Sequence, residues 1–283
     1  MLMKTVTLRN GVTVPALGMG TWNVGDSAAR RTDEIESLRR GLEAGLRVID
    51  TAEMYGNGRS ETLVGEAIAD VRDDVYLVSK VLPSNASYDG VRKACRRSLK
   101  HLGTDWLDLY LLHWRGGTPL EETIRAFEDL REEGLIGGWG VSNFDIDDME
   151  EVESLSGSCL ANQVLYNLEH RGTEFDLLEH DREEGTVTMA YSPLGQGGEL
   201  LDHPALKEVA SRHETSLGPA DAAQIALAWV LRRPNVMAIP KAGSPKHVAG
   251  NLASLEIGLT AADLKTLDNA FPPPKRKVSL AMI

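Results

Sequence analysis

Eight short apolar runs, each followed by a polar turn and a helical segment, limit what this chain can fold into more than any other feature. They read PALGMGTW, RVID, VYLVSK, WLDLYLLH, GGWGVSNF, CLANQVLYN, TVTMAYSPLG and NVMAIPKAG. Strands that alternate with helices pair in parallel through right-handed crossovers. Near-continuous apolar strands belong to a sheet that helices cover. Eight such units predict a closed α/β architecture, a (β/α)8 TIM barrel, rather than an open doubly wound sheet. The 283 residues suit one barrel domain over 1–283, and no linker, repeat or low-complexity tract divides them.

The helical segments carry their own punctuation. Asp33 with Glu36 predicts a capped start, followed by Ile35, Leu38, Leu42 and Leu46 at helical spacing. Leu63, Val64, Ala67 and Ile68 mark a second helix, and Val91, Cys95, Leu99 and Leu102 a third that stops near Gly103. Thr118, with Pro119 and Glu121 behind it, predicts a cap for the helix carrying Ile124, Phe127 and Leu130. Further helices are expected around 174–183, 204–213 and 219–232. Ahead of the barrel, KTVTL–RNG–VTV predicts a β-hairpin turning at Asn10-Gly11, outside the main fold as a plug or lid. Extra helices are expected at the C-terminal end, where Pro272–Pro274 would launch an extended tail. In that tail Leu280, Met282 and Ile283 either fold over the barrel mouth or cover an edge.

A net charge of −12 repels phosphate backbones, so no nucleic-acid partner is expected. No apolar run approaches the roughly 18 residues of a membrane span. MLMKTVTLRNG lacks the apolar stretch of a signal peptide. Two cysteines make neither a disulfide framework nor a metal cluster, no HExxH is present, and no metal is expected. A reduced cytoplasm is the expected setting, and a monomer the expected state. The acidic surface reads either as ordinary solvation or as adaptation to high salt.

Active sites of parallel barrels lie at the carboxyl ends of the strands. Asp50, Lys80, His113, Asn143, Gln163, Ser192 and Lys241 all fall there, and Tyr55 follows Asp50 on a Gly/Asn-rich loop. Singly, the aspartate reads as a turn former, the lysine as a surface charge and the histidine as a satisfied polar residue. Converging, they make a proton-transfer site. The ammonium of Lys80 favours the phenolate and is expected to lower the pKa of Tyr55. Asp50 would hold Lys80 charged, and His113 would orient a carbonyl oxygen. Such a set serves carbonyl reduction if a hydride donor stands opposite. A Schiff-base aldolase built on Lys80, and a binding module that senses nicotinamide, are the competing readings.

The donor must be a cofactor. Gly18-Met19-Gly20 lacks the third glycine of a Rossmann fingerprint. The later strand ends offer another cradle: Ser142, Asn143 and Gln163 for a carboxamide, and Tyr191 to stack on the nicotinamide ring. The loop Ser192, Pro193, Leu194, Gly195 allows close backbone approach to a pyrophosphate, although a simple turn explains it equally well. Ser244-Pro245 opens a helix whose free N–H groups suit an anion, with Lys241 just upstream.

In order and register, LGMGTW, IDTAEMYGNG, LVSK, DLYLLHW, WGVSNF, NQVLYN, AYSPLGQGG and IPKAGSP resemble the aldo-keto reductase family over almost the whole chain. The resemblance implies a (β/α)8 barrel, a tetrad of Asp50, Tyr55, Lys80 and His113, and extended NAD(P)H across the strand ends. Tyr55 would then be the general acid in reduction. Thr21, Trp22 and Asn251 would join the cofactor contacts, and Trp22, Val24, Met54, Trp114 and Phe144 would wall the pocket for a small carbonyl substrate. The pattern is most similar to microbial members acting on methylglyoxal, diketogluconate and other small carbonyls. One departure concerns the adenosine 2′-phosphate: His247 stands where NADPH-dependent members commonly carry arginine, and Gly250 where an acidic residue is frequent. Histidine is mostly neutral at pH 7 and lacks the guanidinium fork. Lys241, Lys246 and the helix N-terminus favour NADPH, with a weakened preference and some use of NADH expected.

Overall fold

The computed structural model describes residues 3–241 and 243–283. Its centre is a sheet of parallel strands: β3 (Met19–Gly20), β4 (Val48–Asp50), β5 (Tyr76–Val81), β6 (Leu109–Leu112), β7 (Trp139–Ser142), β8 (Cys159–Leu165), β9 (Val187–Tyr191) and β12 (Val236–Ala238). Each pairs with its neighbour in chain order. The sheet closes on itself where Leu17 bridges Ala238 and Gly20 bridges Lys241. At this seam Gly18 N donates to Ala238 O at 2.9 Å, Gly20 N to Pro240 O at 2.9 Å, and Ala238 N to Ala16 O at 2.8 Å. A Cβ on Gly20 would sit 2.7 Å from Ile239 O, so the seam needs glycine there. The eight-unit expectation therefore holds, and the fold is a (β/α)8 barrel.

A short antiparallel hairpin precedes it, β1 (Thr5–Thr7) on β2 (Thr13–Pro15). Gly11 takes the left-handed conformation that its turn requires (φ 86°). Val6, Leu8 and Val14 are buried. Arg9 hydrogen-bonds Gly157 O at 2.6 Å and pairs with Glu153 at 3.0 Å. These partners lie at the end of α5 (Ile146–Leu155), next to where β8 begins. The hairpin thus plugs the amino-terminal end of the barrel, opposite the strand ends that carry the site, and is no lid.

The outer layer comprises α1 (Arg31–Glu43), α2 (Arg59–Ile68), α3 (Tyr88–Leu102), α4 (Leu120–Glu132), α5, α6 (Leu177–Glu183), α7 (Pro204–Ala210), α8 (Ala222–Val230), α9 (Pro245–Ala253) and α10 (Ala261–Ala270). Two cap expectations fail. A 3-10 turn, Ala28–Arg30, runs directly into α1, so the helix has begun before Asp33. Pro119 takes an extended ψ of 133°, so α4 starts only at Leu120 and Thr118 caps nothing. Where caps do form they are local. Ser87 accepts from Gly90 N to start α3, and Gly103 ends it at φ 63°. Asp221 and Gln224 form a capping box at α8. Between the helices expected around 204–213 and 219–232 lies a small hairpin, β10 (Glu214–Thr215) with β11 (Gly218–Pro219), so α7 stops at Ala210 and α8 starts only at Ala222.

Beyond α10 the tail runs back across the barrel mouth. Lys277 Nζ donates to Asp145 Oδ1 at 2.5 Å and Asp176 Oδ1 at 2.8 Å. Met282 and Ile283 reach the cavity described next, and Leu280 packs on the core. No helix among the described residues is long and apolar enough to cross a membrane.

Candidate active site

Strand β4 ends on Asp50 and β5 carries Lys80 one pleat before its end, both facing the barrel interior. Lys80 is fully buried, and its Nζ donates to Asp50 Oδ2 at 2.8 Å, to Thr51 O at 2.8 Å and to Tyr55 OH at 3.2 Å. All three ammonium hydrogens have a partner. Tyr55 opens a tight turn in which Gly56, Asn57 and Gly58 have φ of 57°, 54° and 88°. A Cβ at Gly58 would lie 2.4 Å from the His101 ring. That crowding, with left-handed backbone on either side, is why the loop reads YGNG. His113 follows β6, its N–H donating to Val81 O at 2.9 Å. Its ring meets Tyr55 edge-on at 5.9 Å between centroids and Trp114 at 4.9 Å. The structure therefore brings together all four tetrad residues expected from sequence.

Electrostatics correct one expectation. Burial raises the Tyr55 pKa more than the Lys80 ammonium lowers it, and Asp50 adds to the rise. The phenol is held protonated rather than made acidic. Burial works against charge on Lys80, but Asp50 and Tyr55 together raise its pKa, so it stays an ammonium. Burial, and then Lys80, push the His113 imidazole down to about 3. It is neutral at physiological pH. Its Nδ1 is buried without a partner, leaving Nε2 to meet a substrate oxygen.

That histidine has a measurable consequence for stability. An unfolded imidazole takes up a proton near pH 6.5, whereas the native one resists until about 3. Its stabilising contribution is therefore complete above pH 6.5 and drains away as pH falls toward 3. Between pH 6.5 and 4 the parent should lose about 3 kcal/mol more than His113→Gln, at about 1.4 kcal/mol per pH unit. Urea unfolding at the two pH values reads the difference; parallel losses would show that the native imidazole titrates normally.

Above the tetrad opens a cavity of about 1130 Å³. This exceeds the roughly 300–1,000 Å³ of ordinary small-molecule sites, leaving room for a dinucleotide and a small substrate together. Of the residues expected from sequence, Thr21, Trp22, Asp50, Met54, Tyr55, His113, Trp114, Ser142, Asn143, Gln163, Tyr191, Ser192, Pro193, Leu194, Lys241, His247 and Asn251 line it. Lys80 lies just beneath. Four others are not on its wall. Val24 (2% exposed) and Phe144 (0%) belong to the core. Each follows an asparagine in left-handed conformation, Asn23 and Asn143, both at φ 59°, which turns the chain inward. Gly195 is at φ 58° against Leu200 and serves the turn, while Gln196 and Gly197 reach the wall. Ser244 Oγ accepts from His247 N at 3.3 Å, capping α9.

Several cradle groups are already tied down. Gln163 Nε2 donates to Asp50 Oδ1 at 2.8 Å, a partner the sequence reading missed, although glutamine within an apolar strand was the signal. Its Oε1 is the end available to a carboxamide N–H. Ser142 Oγ donates to Gln163 O at 2.8 Å. Asn143 Nδ2 donates to His113 O at 3.1 Å, and Tyr191 OH donates to Asn143 Oδ1 at 2.9 Å. These bonds hold the Tyr191 ring on the cavity wall. The polar groups fit a nicotinamide dinucleotide: an amide acceptor tied to Asp50, a loop after β9 with close backbone approach, and Lys241, Lys246 and His247 where β12 and α9 bound the cavity. Arg30, Leu217 and Gln224 also line that cavity and were not foreseen, since nothing in their local sequence marks them.

A protonated phenol over a captive ammonium, beside a cleft of this size, suits hydride exchange at a carbonyl carbon, and the chain is an oxidoreductase of that class. The sequence profile of the Aldo/keto reductase family matches residues 16–271. The chain belongs to the aldo/keto reductase family. Methylglyoxal reductase YeaE of Escherichia coli (strain K12) is 47% identical to it, with 100% of each chain covered. Glyoxal reductase of Bacillus subtilis (strain 168) is 33% identical over 94% of this chain and 92% of its own. Among solved structures, an aldo-keto reductase from Klebsiella pneumoniae in complex with NADPH superposes with a TM-score of 0.95 at 46% identity, both chains covered completely.

Proposed function

We propose that this enzyme reduces small, uncharged aldehydes and α-oxo carbonyls of the methylglyoxal kind with NADPH, Tyr55 donating the proton. The observation that carries this reading is the placement of Lys80 Nζ, 2.8 Å from Asp50 and 3.2 Å from the Tyr55 hydroxyl. NADPH, when bound, supplies the hydride. As charge develops on the carbonyl oxygen, Tyr55 passes its proton across a short hydrogen bond. Lys80 stabilises the phenolate left behind, and Asp50 keeps Lys80 charged. Neutral His113 offers an N–H that holds the oxygen without competing as an acid. Reversal of the same transfers makes Tyr55 the base for alcohol oxidation.

Substrate charge follows from the walls. Trp22, Met54 and Trp114 line the same cavity as the tetrad, whereas the basic residues of its wall come from the turn into α1 (Arg30), the segment just after β12 (Lys241) and the first turn of α9 (Lys246). An anionic carbonyl compound would have to shed its hydration against apolar walls, with the Lys80 ammonium already committed to Asp50, Thr51 and Tyr55. A Schiff-base role for Lys80 suffers from chemistry: a buried ammonium whose pKa is raised by Asp50 and Tyr55 is a poor nucleophile. The names of the relatives, methylglyoxal reductase and glyoxal reductase, point the same way.

A steady-state screen with NADPH and NADH side by side tests the proposal. Methylglyoxal and a nitrobenzaldehyde should be reduced with kcat/KM at least about tenfold above pyruvate, and NADPH should outperform NADH. No dinucleotide oxidation with any carbonyl would end it. Repeating the screen at high salt checks the acidic surface, whose salt-adapted reading requires activity to persist or rise.

A further inference from the structure

The far end of the cavity poses a problem that the reductase reading leaves open. A ribose 2′-phosphate is recognised best by a planar, bidentate guanidinium, and His247 cannot supply one. The chain supplies a guanidinium from a different element. Arg30 ends the 3-10 turn that runs into α1, and α1 packs against α9, whose first turn carries Lys246 and His247. Arg30, Lys241, Lys246 and His247 line one cavity.

The Arg30 side chain is anchored on one side only. Its Nε lies 3.7 Å from Glu34 Oε1. Glu34 is 1% exposed, its Oε2 accepts from Gly25 N at 2.9 Å, and its Oε1 is buried without a hydrogen-bond partner. A buried carboxylate therefore steadies the inner edge of the guanidinium, while the side chain remains 54% exposed toward the cleft. The nearby carboxylate of Asp26 does not neutralise it, being paired with Arg59 at 2.7 Å. Burial, followed by repulsion from Arg30, lowers the Lys241 pKa, and the carboxylates of Glu34 and Asp26 offset this only in part. The two cations are thus close enough to feel each other, an arrangement that an anion between them would relieve.

We propose that Arg30 grips the 2′-phosphate of the dinucleotide, and so sets the choice of NADPH over NADH from the opposite wall to that used by the usual arginine. The assignment rests on the reading of the cavity as a dinucleotide site. Its chemistry is two parallel N–H···O bonds from the outer edge of the guanidinium, with Lys241 and Lys246 adding charge.

Calorimetric titration without substrate separates the phosphates. The probes are adenosine 2′,5′-bisphosphate and 5′-AMP, which differ only in the 2′-phosphate. In Arg30→Ala the affinity for the bisphosphate should fall about 10- to 100-fold, with 5′-AMP changed by less than about twofold. Arg30→Lys, which keeps the charge but not the fork, should fall in between, and NADP should weaken in parallel with the bisphosphate. Equal losses for both probes would assign Arg30 to the shared 5′-phosphate and overturn the proposal, as would no loss. A parent protein that binds neither probe nor NADP overturns the dinucleotide reading itself, a result distinct from either.

Discussion

Tyr55→Phe is expected to lower kcat by about a thousandfold while leaving dinucleotide affinity within about twofold. The substitution removes one hydroxyl and little else. A phenylalanine ring can keep the edge contact to His113 at 5.9 Å and the place of the ring 4.8 Å from Lys80 Nζ. No other group is suited to inherit the proton transfer. His113 is neutral down to about pH 3, and Lys80 spends its hydrogens on Asp50, Thr51 and the phenol. Because the Tyr55 pKa is raised, the reducing form persists through neutral pH and into the alkaline range. Steady-state rates beside tryptophan-quenching titrations of NADPH give both numbers. Turnover near that of the parent would reassign the acid.

Lys80→Met has the larger consequence for the fold. It strands the Asp50 carboxylate in the barrel interior with only Gln163 for company. Breaking a buried pair by removing one partner costs about 3–5 kcal/mol, because the surviving charge is uncompensated. Lys80→Met with Asp50→Asn should regain most of that stability and none of the activity. The pH dependence has a definite sign. With its native pKa raised, Lys80 contributes fully below an unfolded value of about 10.4, and the contribution is lost as pH rises through the higher native value. The parent should therefore weaken in the alkaline range relative to the double variant. Urea midpoints at pH 7 and above pH 10 would expose the opposite outcome, a single variant as stable as the parent.

The barrel could be read from sequence because its eight strands are unbroken apolar runs, and strand order follows chain order in such a fold. The tetrad was legible for the same reason: a strand end is a fixed address, and three of its members lie at or beside one. What escaped depends on single backbone angles or on depth. The resemblance put Val24 and Phe144 at the pocket, but the left-handed residues Asn23 and Asn143 send them into the core. Asp33 and Thr118 have the composition of caps, yet a preceding 3-10 turn and an extended proline move the helix starts elsewhere. The attraction of Lys80 for a phenolate was foreseeable. The burial that outweighs it was not, since desolvation belongs to the assembled site. Arg30 sits in SAARRTDE, where nothing distinguishes it from a solvated helix start.

The join between Leu17–Gly20 and Ala238–Lys241 unites segments from opposite ends of the polypeptide. Thr21, Trp22 and Arg30 stand on one bank of it, Lys241, Lys246 and His247 on the other. With the dinucleotide seated there as proposed, a nascent or partly opened chain would lack its berth, and whatever binds only the finished ring shifts the folding balance toward it. Supply of the coenzyme would then act as a fastener on the enzyme's own architecture, setting how long each copy survives as well as how fast it works.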